Sequence, residues 1–125
     1  MSKSAAASTP AEKSNYQEGN LTIQKGLEES IDLLIQRKGF ATTTKEMETI
    51  QIKLPRLKAE LLTVDSELTA FLANQLSVNP PSEDQVTQMK KVTEDIYKLS
   101  AGSDLADSIV TTATTLIQKW ASTRA

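Results

Sequence analysis

Few side chains in this sequence could carry acid chemistry or hold a divalent ion. Glu28 and Asp32 stand four residues apart and Asp104 and Asp107 three apart, so each pair shares one face of a helix. Chemistry at such a pair needs help from a second-helix carboxylate or a histidine at the spacing of di-metal bundles. The chain contains no histidine and no cysteine, which removes the usual general base, the commonest metal ligand and all thiolate or disulfide chemistry. The hydroxyls of Thr42, Thr43, Thr44, Thr111, Thr112, Thr114 and Thr115 have no base to activate them and read as caps and polar faces. Four scattered glycines form no phosphate loop. The expectation is a protein that is not an enzyme, with no catalytic, cofactor-binding or metal-ligating residues.

Composition narrows the partners in the same direction. A chain of 125 residues closes a modest hydrophobic core without metal or disulfide help, and one domain is the default. Fourteen basic and sixteen acidic residues, interspersed, give a net charge of −2 and no electrostatic footprint for nucleic acid. The longest apolar runs, such as Ala70 to Ala73, fall far short of the roughly 20 residues of a membrane span. No small-molecule substrate is indicated. Residues 1–19 lack the apolar stretch of a cleavable secretory signal and read as a disordered polar tail. Cytoplasmic residence is expected, with export lacking a cleavable secretory signal as the alternative. Residues 20–125 then form a single helical domain.

The positioning elements follow from periodicity. Asn20 caps a first helix over about 20–38, with Ile23, Leu27, Ile31, Leu34 and Ile35 on one face. Arg37 and Lys38 favour its C-terminus, Gly39 supplies a left-handed stop, and Phe40 folds back onto the helix. Thr43 with Glu46 makes a capping box for a second helix over about 43–78. Its heptad sets are Met47, Leu54, Leu61, Leu68, Gln75 and Ile50, Leu57, Val64, Phe71, Val78, nine of the ten apolar. Pro55 interrupts them, and Ile50, Ile52 and Leu54 alternate like a strand. The unchanged register on both sides of Pro55 favours a kinked helix. After Pro80 and Pro81, Ser82 with Gln85 opens a third helical segment. Met89, Ile96, Ser103, Val110, Ile117 and Val92, Leu99, Ala106, Ala113, Trp120, nine of the ten apolar, keep one phase across Gly102, which implies one helix or two collinear helices over about 82–101 and 103–122.

A short proline turn sets two such heptads in step, placing Phe71 against Met89, Val64 against Ile96 and Phe40 against Trp120. The expected fold is all-α, a long antiparallel coiled-coil-like hairpin with a shorter N-terminal helix packed on it, in a three- or four-helix bundle. At about 28 Å the first helix covers roughly half of an approximately 54 Å hairpin. It docks at the open end over Leu105, Ile109 and Leu116. A stripe near the turn is left over: Leu62, Leu72, Ala73, Leu76 and Val86. Contiguous apolar surface of this kind marks a binding site for a protein partner or for self-association, unless the first helix docks further along, or the chain bends at Gly102, and the stripe becomes ordinary core. The function expected is a non-enzymatic helical interaction module, an adaptor, chaperone or assembly factor. The alternative is a secreted structural subunit: the polar start, proline turn, few aromatics and lack of cysteine resemble, in style, the helical filament, needle and tip proteins of secretion machines.

Overall fold

Capping chemistry decides where the helices start. Thr9 accepts a hydrogen bond from the Glu12 amide while the Glu12 carboxylate accepts one from the Thr9 amide, and with Pro10 behind this box α1 (Pro10–Arg37) begins. Thr43 accepts from the Glu46 amide at the start of α2 (Thr44–Leu72). The return half of that expected box does not form, because the Glu46 carboxylate pairs with Arg37. Ser82 and Gln85 make the complete reciprocal box, as their spacing predicts, and open α3 (Glu83–Tyr97). Leu105 precedes α4 (Ala106–Ser122) without a side-chain cap. The computed structural model describes residues 3, 4 and 8–123, and adds a two-residue antiparallel pairing of β1 (Lys3–Ser4) with β2 (Ser77–Val78).

The helix ends depart from expectation for identifiable reasons. Residues 10–19, expected in the polar tail, are helical, and Tyr16 and Gly19 within them are buried; residues 1, 2 and 5–7 of that tail lie outside the described residues. Asn20 is therefore not a cap. It is buried in mid-helix, donating its amide to the Val64 carbonyl of α2 at 3.0 Å and accepting from the Gln24 amide at 2.6 Å. Gly39 takes no left-handed conformation, and the Phe40 ring lies against Gly102. Among the described residues the left-handed one is Asn74, with φ 58°. Its amide bonds the Phe71 carbonyl at 3.0 Å and the Gln75 amide bonds the Ala70 carbonyl at 2.8 Å, a Schellman stop that ends α2 at Leu72 well before residue 78. Through Pro55 the helix is continuous, so the strand alternative for residues 48–54 does not occur.

The bundle is all-α, and α1 stands at its centre, packed against α2, α3 and α4. Directions follow from the contacts. The Tyr16 and Phe71 rings lie 4.3 Å apart while Arg37 pairs with Glu46, so α2 runs antiparallel to α1. Glu18 pairs with Lys90, and a Cβ on Gly19 would meet Val86 while one on Gly26 would meet Thr93 and Ile96, so α3 runs parallel to α1. Trp120 stacks on Tyr16 at 5.5 Å and Leu116 abuts Gly26, so α4 returns antiparallel.

This arrangement corrects the pairing within the expected hairpin. The heptad residues Ile50, Leu57, Val64 and Phe71 are buried as their spacing predicts, but the helix they pack on is mainly α1, and α2 and α3 are not a packed pair. The C-terminal half is neither one helix nor two collinear ones: α4 folds back onto α3. Across the turn the Ser100 amide bonds the Asp104 carboxylate at 2.7 Å, and the Asp104 amide bonds the Ser100 carbonyl at 2.8 Å. Phe40 and Trp120, expected to face each other, sit at opposite ends of α1.

Two contacts fix the bundle. At Gly26 an added Cβ would lie 2.2 Å from Leu116 Cδ2 and 3.3 Å from both Ile96 Cδ1 and Thr93 Oγ1. The missing side chain is what lets α3 and α4 close on α1 together. At the other end Arg37, 7% exposed, pairs through Nε with Glu46 and donates Nη1 to the Ala101 carbonyl at 3.1 Å and the Gly102 carbonyl at 3.4 Å. One guanidinium thus ties the end of α1 to the start of α2 and to the α3–α4 turn.

The Gly26 contact makes a sign-reversing prediction for urea denaturation. Gly26→Ala gains about 1 kcal/mol of helix propensity but forces a methyl into a filled core, and a net loss of about 1–2 kcal/mol is expected. In a Leu116→Ala background the obstruction is gone, and the same substitution is expected to stabilise by about 1 kcal/mol. For the clamp, Arg37→Met is expected to cost about 3 kcal/mol, because it strands the Glu46 carboxylate, and adding Glu46→Gln is expected to recover part of that loss.

Candidate interaction face

Helix α2 has two unlike sides. Toward the bundle it buries Ile50, Leu54, Leu57, Val64 and Phe71, with Leu61 and Leu68 partly buried beside them. That seam satisfies the fold's demand for apolar surface from this helix. On the remaining surface stand Ile52, Leu62 and Leu72 at 53%, 67% and 56% exposure, with Ala73 also exposed. Covering a leucine as open as Leu62 releases about 1.5–3 kcal/mol.

Leu62 lies on the wall of two shallow grooves. One, of about 450 Å³, runs between α1 and α2 and is lined by Gln24, Glu28, Lys58, Leu61, Leu62 and Asp65. The other, of about 390 Å³, lies toward the C-terminal end of α2 among Leu62, Thr63, Ser66, Glu67, Ala70 and Leu76. Both are open troughs, broad and shallow enough to take a side chain from another surface.

The five residues expected to form a binding stripe divide into three groups. Leu62, Leu72 and Ala73 are exposed; Leu76 is half-buried against the core; Val86, at 4% exposure, is core. The loss of Val86 has a direct cause. With its start at Pro10, α1 is about 42 Å long and reaches the turn end of the bundle, where a Cβ on Gly19 would lie 3.7 Å from Val86 Cγ2. Ile109 and Leu116 are fully buried as expected, whereas Leu105, the residue before α4, is 55% exposed. Ile52 escaped the sequence reading because its alternation with Ile50 and Leu54 suggested a strand, although its helical phase already placed it away from the seam.

The residues considered for chemistry do not converge. Glu28, Asp32 and Asp107 are exposed. Asp104 accepts the Ser100 amide in the α3–α4 turn. Thr112 and Thr115 donate their hydroxyls to the carbonyls of Ser108 and Thr111 one turn back. Among the described residues no group of three or more potential metal ligands gathers, and no helix is long and apolar enough to cross a membrane. Comparison of the chain with models of protein families, with curated proteins and with solved structures finds no match.

Proposed function

We propose that this protein is a non-enzymatic helical interaction module, an adaptor, chaperone or assembly factor, which engages a protein partner or a second copy of itself through the outward side of α2 around Leu62. The observation that carries this reading is the double character of α2. Its core seam is filled from Ile50 to Phe71, with Met47 at its start left exposed, yet Ile52, Leu62 and Leu72 present large apolar side chains to water on the rest of the helix. A helix that met only solvent there would keep those positions polar at no cost to packing.

Two measurements test the reading. A photo-crosslinking residue placed at Leu62 in the producing cell is expected to give discrete adducts, and the same residue at the exposed Lys91 of α3 is expected to give none. No adduct at either position would remove the proposal. With the photo-crosslinking residue moved to Ser66, exposed on the same side of α2, Leu62→Glu, a surface change worth within about 0.5 kcal/mol of stability, is expected to abolish the adducts while leaving the thermal unfolding midpoint in place. Light scattering at rising concentration separates the two forms of the reading: species that stop at a small closed oligomer fit a module, and unbounded growth would replace it with the structural-subunit reading.

A further inference from the structure

The outward side of α2 carries its own heptad. Ile52, Ala59, Ser66 and Ala73 recur every seven residues, and Pro55, Leu62 and Thr69 fall three residues after the first three of them; all seven are exposed. This stripe lies on the other side of the helix from the seam of Ile50, Leu57, Val64 and Phe71, and no charged residue interrupts it between 52 and 73. A helix with a 3.5-residue apolar repeat on an exposed side is built to lie along another helix. Its small residues, Ala59, Ser66 and Ala73, permit close approach.

The flanking charges say which helix. Lys58 and Asp65, both exposed, precede Ala59 and Ser66 on one edge of the stripe, seven residues apart and opposite in sign. When two such helices lie antiparallel, residues of this edge face the same edge of the partner. We infer that the outward side of α2 pairs with the same side of a second copy, antiparallel about a two-fold axis between Ala59 and Leu62. In that register Leu62 of each copy packs on Ala59 of the other, and Ile52 on Thr69, large against small. Lys58 of each copy meets Asp65 of the other, twice by symmetry. Sliding by one heptad either way brings Lys58 to Lys58 or Asp65 to Asp65, and a parallel pair sets Lys58 beside Thr63 and Asp65 beside Ala70. The charges therefore select one orientation and one register.

This inference rests on the reading that α2 is the interaction side, and its tests separate the two. Sedimentation equilibrium of the full chain from about 10 μM to about 1 mM is expected to show monomer–dimer exchange, weakened at least about tenfold by Leu62→Glu with unchanged circular dichroism. Lys58→Asp and Asp65→Lys are each expected to weaken it about tenfold, and the two together to restore it. The chain lacks cysteine, so Ala73→Cys accepts a single spin label. The antiparallel dimer places the two labels roughly 35–40 Å apart, and a parallel dimer about 10 Å apart. A monomer at about 1 mM, a short label distance, or failure of the double charge exchange to restore pairing overturns the inference. In the cell, a Leu62 adduct of twice the chain mass supports it; adducts solely with another protein overturn self-pairing and leave the interaction reading standing; no adduct removes both.

Discussion

The architecture depends on how closely α3 and α4 approach α1 at Gly26. A methyl group there would sit 2.2 Å from Leu116 Cδ2, well inside the contact distance of two carbons, so the three helices share a space that no other residue leaves free. From this follows the unusual burden on α1. It buries residues over most of its circumference, including Asn20, Ser30 and Arg37, and its small or polar positions are the ones its neighbours press against. Where such groups are buried they are hydrogen-bonded: Asn20 to the Val64 carbonyl, Ser30 to the Gly26 carbonyl at 2.8 Å, Arg37 to the α3–α4 turn.

The two ends of the bundle are closed by different physics. At the α1 N-terminal end Tyr16, Phe71 and Trp120 stack in tilted pairs, joining α1, α2 and α4 through three large apolar surfaces. At the other end the Arg37 guanidinium reaches Glu46 and two turn carbonyls. Aromatic burial tolerates small shifts, whereas the planar fork of an arginine fixes direction. The polar end therefore sets how the connections 38–43 and 98–105 lie against each other.

Helix α2 joins this core by one side alone, which leaves a second side free for a different task. A coiled-coil seam needs about two of every seven residues, so one 29-residue helix can hold two seams of different phase. The inner one is made of large residues and is filled by the rest of the chain. The outer one mixes Ile52 and Leu62 with alanine and serine, a composition that contributes nothing to the monomer and suits a shallow helix–helix contact.

By itself the sequence determined the all-α class, the heptad seam at Ile50, Leu57, Val64 and Phe71, the Ser82–Gln85 cap, and the exposure of Leu62 and Leu72, because local spacing and capping chemistry act within one or two turns. It left out what depends on distant partners. Tyr16 looked like part of a tail since its value lies in Phe71 and Trp120, more than fifty residues away in the chain. Asn20 looked like a cap since the side chain that starts a helix can equally bridge two of them. Val86 looked like surface until α1 was found to begin at Pro10. Which helix each seam would meet was decided by tertiary structure alone: a heptad states that a partner is needed and its phase, but two equal periods align in many ways, and the choice here was made by the turn at 98–105 and by the gap at Gly26 that lets Leu116 in.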